Sequence, residues 1–140
     1  MAGSNQTTGQ SSRRAAVGAA VEKKMCQKYG LIHDHPGRAD ARYENGTPVE
    51  IKAAQRVKKD GRGGTKSGEF FVFESPHQWL RRQDGYYVFV VYRFRGNGVQ
   101  VLDSKRVHAS NLPHFTFHKS GHSGRNNDRE ARFKVGQIFG

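Results

Sequence analysis

Residues 86–94, YYVFVVYRF, form an almost continuous apolar run in a chain of 140 residues. Most side chains in this run are β-branched or aromatic, and such side chains favour strands. Apolar and polar residues do not alternate in it, so the run predicts a central strand that is covered on both faces. A chain of this length has room for a single hydrophobic core. We therefore expect one domain of the α/β or α+β class, with a sheet and few helices.

A helix is expected over residues 13–29, where apolar side chains recur at four-residue spacing. These side chains are Val17, Val21 and Met25. Ser12 is predicted to be the N-cap of this helix. Residues 1–12 are small and polar, which is typical of a flexible leader, so the predicted domain comprises residues 13–140.

Turn residues and local periodicity predict the other elements. In chain order they are a strand at 31–33, a hairpin of strands 37–43 and 48–54, a loop at 55–68, a strand at 69–74, a helix capped by Ser75 that ends near 83, a strand at 99–102, a short helix at 104–110, a polar loop at 119–128 and a last strand at 132–139.

The chain carries a formal net charge of +12. A field of this sign attracts polyanions, of which nucleic acid is the commonest. A purely structural nucleic-acid-binding protein would show the same charge. The composition therefore favours a nucleic-acid partner and leaves both an enzyme and a non-enzyme open.

The chain has one cysteine, Cys26, which excludes an internal disulfide and is consistent with a reducing compartment. Its apolar runs are shorter than the roughly 20 residues that a membrane-spanning helix needs. The first residues lack the hydrophobic region of a secretory signal. We therefore expect a soluble, cytoplasmic protein without a membrane partner.

Residues 37–54 contain the main candidate for chemistry, because Asp40 lies ten residues before the triplet Glu50-Ile51-Lys52 in a predicted hairpin. Alternate side chains of a strand point to the same face. Glu50 and Lys52 should therefore project together, while Val49, Ile51 and Ala53 face a core.

The hairpin register decides whether Asp40 joins them, because a slip of one residue turns every side chain to the other face. A two-residue turn at Asn45-Gly46 would place Asp40 opposite Ile51. A three-residue loop at 44–46, with Gly46 in the left-handed bulge position, would pair Tyr43 with Thr47 and place Asp40 opposite Glu50. We predict the three-residue loop.

Two acids and a lysine are suited to hydrolysis of a phosphodiester, which needs a cation, an oxygen cage for it and a group that prepares the attacking water. Carboxylates suit Mg²⁺. In this interpretation Asp40, Glu50 and the carbonyl of Ile51 hold one or two Mg²⁺ ions per subunit. Lys52 orients or helps to deprotonate the water, and Glu22 on the first helix reaches the site as an outer ligand.

These residues resemble the core pattern of the PD-(D/E)XK nuclease superfamily, an acid followed after a variable spacer by Asp/Glu-x-Lys. The resemblance implies a restriction-endonuclease-like core, a mixed central β-sheet flanked by helices. It covers Asp40 and residues 50–52 strictly, and about residues 13–95 by the order of elements. The chain departs from the pattern before the first acid, where Arg38 and Ala39 stand in place of the usual proline.

Within the superfamily the chain is most similar to small type II restriction endonucleases of the PvuII type, in its length, in the spacing of its acids and in its tail. That similarity implies a homodimer that cuts double-stranded DNA at a specific site. The histidine cluster that such enzymes carry after the site is absent, and residues 69–74 occupy its region. Base specificity is therefore not implied.

Two segments are candidates for contact with DNA. The basic residues of the predicted loop are Arg56, Lys58, Lys59, Arg62 and Lys66, which can bind phosphates or form an ordinary solvated loop. The tail supplies His122, Arg125, Asn126 and Asn127, which can contact bases or serve as turn residues.

Seven histidines raise the alternative of a zinc or HNH nuclease. Their spacing is irregular and no second cysteine is present, so solvated or DNA-facing histidines are the better interpretation. The sequence therefore favours a Mg²⁺-dependent DNA endonuclease. A Holliday-junction resolvase and a non-catalytic basic nucleic-acid-binding protein are the alternatives.

Overall fold

The structure is a computed structural model that describes residues 10–34, 37–119 and 128–140, with side chains from residue 15 onward. The described elements, in chain order, are α1 (Gln10–Tyr29), β1 (Ile32–His33), β2 (Ala41–Arg42), β3 (Pro48–Gln55), β4 (Val57–Lys59), β5 (Thr65–Ser67), β6 (Glu69–Phe73), α2 (Glu74–Arg82), β7 (Tyr86–Arg95), β8 (Gly98–His108), a 3₁₀ turn (Ala109–Asn111), β9 (His118–Lys119), β10 (Arg129–Lys134) and α3 (Val135–Phe139).

The central sheet has five strands in the order β1-β2-β3-β7-β8. Strands β3 and β7 run parallel, and the other neighbours run antiparallel. A three-stranded sheet, β6-β10-β9, and the β4-β5 hairpin complete the described strands. The mixed central sheet with helices confirms the predicted fold class.

Strand β7 lies between two hydrophobic cores, so its predicted coverage on both faces is confirmed, whereas the expectation of a single core is wrong. Val88 and Val90 face α1, and they pack with Val17, Val21, Met25, Leu31, Ala41 and Val49. Tyr87, Phe89 and Val91 face the three-stranded sheet and the last two helices, and they pack with Ala54, Phe70, Val72, Leu80, Ala109, Ala131, Phe133 and Ile138. A strand between two cores has no face left for polar side chains, which explains the continuous apolar run.

Helix α1 buries the three predicted apolar residues, but it begins earlier than expected. Ser12 lies inside its first turn, so the N-cap prediction is wrong, and residues 10–12 of the predicted leader are helical. Once a helix is nucleated, each added residue contributes one more hydrogen bond, so polar residues can extend it backwards. Residues 1–9 lie outside the described part of the chain. None of the described helices combines the length and apolarity needed to cross a membrane.

The predicted loop at 55–68 is instead largely a hairpin of β4 and β5. The carboxylate of Asp60 closes its turn by accepting the N–H groups of Arg62 at 2.7 Å and Gly64 at 3.1 Å. Gly61 and Gly63 adopt positive φ angles of 84° and 87° there. The glycines that suggested an irregular loop therefore serve one tight turn.

Three further predictions are wrong, the first and the third because distant contacts override local signals. Residues 104–108 continue β8 along β7 instead of forming a helix. The last strand ends at Lys134, and α3 follows it. Ser75 is not the N-cap of α2, which is Phe73; the carboxylate of Asp128 accepts the Ser75 N–H at 3.2 Å instead.

Gly68 lies directly against the backbone of Gln55 in β3, and we expect Gly68→Ala to lower the free energy of unfolding by about 2 kcal/mol or more. A Cβ there would lie 1.9 Å from the carbonyl oxygen of Gln55, which belongs to the backbone and cannot rotate away. Gly136→Ala is the matched control, since a Cβ at that helical position meets nothing within 4 Å. Urea unfolding of both variants tests this; equal stabilities would contradict the close approach.

Candidate active site

The turn that joins β2 to β3 has the predicted three-residue loop. The Tyr43 N–H donates to the Thr47 carbonyl at 2.9 Å, and the Gly46 N–H donates to the Tyr43 carbonyl at 2.9 Å. Gly46 has a φ of 94°, a conformation that glycine adopts without strain. Ala41 pairs with Val49. The predicted register is confirmed, and its continuation places Asp40 opposite Glu50.

Two backbone N–H groups at the end of this ladder hold the Asp40 and Glu50 carboxylates. The Asp40 N–H donates to Glu50 Oε1 at 3.1 Å, and the Ile51 N–H donates to Asp40 Oδ2 at 2.9 Å. Each carboxylate is thereby fixed through one oxygen. The second oxygens, Asp40 Oδ1 and Glu50 Oε2, accept no hydrogen bond from the residues that the structure describes.

The surroundings of both acids disfavour their ionised forms. Burial first, and the charge of Asp40 second, raise the pKa of Glu50 to about 7, against the opposing effect of Lys52. Burial also raises the pKa of Asp40, against the Ile51 N–H bond, which lowers it. Both carboxylates are half-buried and resist ionisation. A bound cation would stabilise their ionised forms.

Lys52 shares the face of β3 that carries Glu50, and both side chains line a cleft of about 400 Å³. The opposite face of β3 is predicted to be buried. This is confirmed for Val49, which is buried, and for Ile51, which packs against the α1 core. Ala53 is exposed, so its predicted burial is wrong, because that core does not extend to it. Ala54, on the site face, is buried instead, so the cleft borders directly on the second core.

Glu22 of α1 lies close to the pair, since its charge raises the pKa of both Asp40 and Glu50. Its Oε1 lies 3.0 Å from Nε2 of His33 on β1. His33 is not among the predicted site residues. It is near the site because it pairs with Ala41, the residue that follows Asp40, and only the pairing of β1 with β2 could have indicated this.

The remaining walls of the cleft come from residues that sequence reasoning did not assign to the site. They are Arg38, Val72, Phe73, Ser75, Pro76, Trp79, Tyr87 and Asp128. The hydroxyl of Tyr87 lies 2.8 Å from His77 Nδ1 behind this wall. Burial raises the pKa of Tyr87 and lowers that of His77 to about 4, so a neutral phenol is hydrogen-bonded to a neutral imidazole.

Five basic residues that follow Lys52 in the sequence are predicted to contact phosphates. They lie on or beside the β4-β5 hairpin, which continues directly from β3. Lys58 is half-buried, and the others, Arg56, Lys59, Arg62 and Lys66, are exposed. The predicted tail contacts His122, Arg125, Asn126 and Asn127 lie outside the described residues, so the structure places only the hairpin set.

The donor set fits a hard divalent cation. Asp40 and Glu50 each have one carboxylate oxygen without a hydrogen bond from the described chain, and oxygen ligands are those that Mg²⁺ prefers. The Ile51 carbonyl lies on the same side of β3 as its N–H, which faces Asp40. In the described ranges, no group of three or more His, Cys, Asp or Glu side chains could hold a metal. A cation here would therefore complete its shell with water, as Mg²⁺ commonly does.

The comparisons with known proteins give one match. The family model described as the PD-(D/E)XK nuclease superfamily domain matches residues 8–140. No curated protein and no solved structure matches the chain. The match covers nearly the whole sequence, including the hairpin with its two acids and lysine, and the chain belongs to the PD-(D/E)XK nuclease superfamily.

Proposed function

We propose that the protein is a Mg²⁺-dependent endonuclease that hydrolyses phosphodiester bonds of duplex DNA. One observation carries this proposal: the register of the hairpin brings Asp40 against Glu50, and Lys52 shares the cleft with Glu50. The net charge of +12 favours a polyanionic substrate. Membership of a nuclease superfamily supports the same reaction class.

In this proposal Asp40, Glu50 and the Ile51 carbonyl hold one or two Mg²⁺ ions per subunit. The bound ion would polarise the phosphoryl oxygen and lower the pKa of a coordinated water. The backbone N–H groups of Asp40 and Ile51 fix the two carboxylates before substrate arrives. Because the acids are fixed in advance, little reorganisation is needed during the reaction.

Lys52 and Glu22 act beside the two acids. The Lys52 ammonium orients the attacking water and offsets the negative charge that develops on the phosphoryl group. Glu22, held at His33, supplies an outer carboxylate that orients water around the cation. The cations on or beside the β4-β5 hairpin bind DNA phosphates; they are Arg56, Lys58, Lys59, Arg62 and Lys66. The tail residues contact the bases; they are His122, Arg125, Asn126 and Asn127.

The finer role that we propose is type II restriction by a homodimer of the PvuII type, acting on DNA in the cytoplasm. Symmetric cleavage of both strands requires two sites, which a homodimer supplies. A Holliday-junction resolvase is the second candidate, and the acid on the first helix, Glu22, favours it because such enzymes share that feature.

Two substrates separate these roles in the presence of Mg²⁺. A restriction enzyme is expected to convert a plasmid into discrete fragments, whereas a resolvase is expected to spare the plasmid and nick a four-way junction. Cleavage of neither substrate, with DNA still bound, would favour the non-catalytic binding protein.

Replacement of Lys52 by alanine is expected to lower kcat for DNA cleavage by about a hundredfold or more. DNA affinity should change little, because one lysine among many cations contributes a small share of phosphate binding. Lys24→Ala, which replaces an exposed lysine of α1 to which the proposal assigns no role, is the matched control and should retain its kcat. Single-turnover cleavage measures both variants; equal rates for Lys52→Ala and wild type would remove Lys52 from the chemistry.

A further inference from the structure

Arg38 lines the same cleft as Glu50 and Lys52, and its guanidinium lies over the ring of Trp79, with Cζ 4.8 Å from the ring centroid. The residue between Arg38 and Asp40 is Ala39, which is 5% exposed and therefore anchors this segment in the protein. Arg38 itself is exposed. The backbone is thus fixed by a buried neighbour while the cation is presented to the cleft.

The contact with Trp79 leaves the donors of Arg38 available. A cation over an aromatic ring is held by the charge distribution of the ring, and this attraction needs no acceptor atom for the five N–H groups of the guanidinium. Within residues 10–34, 37–119 and 128–140, no side chain or backbone group forms an ion pair or a hydrogen bond with the Arg38 side chain. The nearby acid Asp34 is paired with Arg42, at 3.9 Å, and not with Arg38.

The side chains of Arg38 and Lys52 enter the cleft from different walls. Lys52 extends from β3, next to Glu50, whereas Arg38 is held against α2 by Trp79. The other polar groups at this wall already have partners, since the Ser75 hydroxyl donates to Asp128 Oδ1 at 3.1 Å. A planar guanidinium that Trp79 orients and that has no ion-pair or hydrogen-bond partner in the described parts of the chain matches the two oxygens of a phosphodiester.

We propose that Arg38, oriented by Trp79, binds a phosphodiester group of the cleaved strand next to the scissile one. This proposal rests on the nucleic-acid substrate of the proposed function. Arg38 binds and positions the strand, so its contribution should appear in the affinity for DNA. The two acids and Lys52 carry out the chemical step.

Equilibrium binding of a fluorescent DNA duplex in EDTA, between about 50 and 200 mM KCl, tests the proposal. Arg38→Ala is expected to weaken binding about tenfold and to lower the log–log salt slope by about 0.9, the value for one phosphate contact. Arg38→Lys should keep the slope but not the full affinity, because it retains the charge without the planar fork. Trp79→Leu should likewise keep the slope and lose affinity, because the cation is no longer oriented.

Arg82→Ala is the matched control, an exposed arginine in the last turn of the helix that carries Trp79. A slope and affinity for Arg38→Ala equal to those of Arg82→Ala would overturn the proposal. So would a fall in kcat for plasmid cleavage with unchanged KM, since Arg38 would then act only in the transition state. The binding assay does not depend on cleavage. If the protein cut no DNA, the proposed function would be overturned, but the effect of Arg38→Ala on DNA binding could still be measured.

Discussion

Asp40→Asn and Glu50→Gln are each expected to lower the rate of DNA cleavage by about a thousandfold or more. Each substitution keeps the size of the side chain and an oxygen that can accept the existing hydrogen bond. What it removes is one negative charge and one strong ligand for a divalent cation. Folding should therefore survive while the cation site is lost.

The same variants should bind DNA at least as tightly as the wild type in the absence of metal. Each acid repels the phosphates of the substrate, and one unit charge at close range is worth about 1 kcal/mol in water. Glu44→Gln is the matched control, because Glu44 is an exposed acid in the turn of the same hairpin. Cleavage with Mg²⁺ and binding with EDTA are measured for all three variants. Full cleavage by either site variant would remove that acid from the metal site.

The second large effect is a gain in the stability of the folded protein when Glu50 is replaced by glutamine. Burial first, and the charge of Asp40 second, raise the pKa of Glu50 from 4.5 in the unfolded reference to about 7. Between these values the folded protein holds a proton that the unfolded chain has lost, so stability falls as the pH rises through this window. Glu50→Gln removes the ionising group. We expect it to raise the free energy of unfolding by about 2 kcal/mol near pH 8 and by almost nothing near pH 4.

Urea unfolding of the metal-free protein at both pH values measures this difference. The exposed Glu44→Gln should show no such dependence on pH. A loss of stability in Glu50→Gln of the same size at both pH values would mean that Glu50 is an ordinary structural acid. The expected result would instead indicate a carboxylate whose placement costs stability, as is common for groups that serve a site.

Two parts of this fold follow from local sequence. Strand β7 is predictable because five consecutive buried residues, 87–91, leave an unbroken apolar run. The hairpin register is predictable because loop length and the position of Gly46 determine which residues pair. These two features alone bring Asp40 and Glu50 together, so the pairing of the acids follows from the amino-acid sequence.

The features that could not be predicted depend on contacts between distant parts of the chain. Asp128 binds Ser75 across 53 residues, so no local pattern indicates that it caps α2. Residues 104–108 form a strand because β7 offers them a partner. His33 and Arg38 enter the site through neighbours on β2 and α2. Local propensity is weak compared with such tertiary contacts.

The central claim is that Asp40 and Glu50 form one divalent cation site, and calorimetric titration of Mg²⁺ into the DNA-free protein tests it most directly. Near pH 7 we predict saturable binding with release of protons, because the raised pKa of Glu50 leaves that acid partly protonated before the cation binds. Binding should disappear in Asp40→Asn and in Glu50→Gln, and should persist in Glu44→Gln. Equal binding by the wild type and both site variants would contradict the claim.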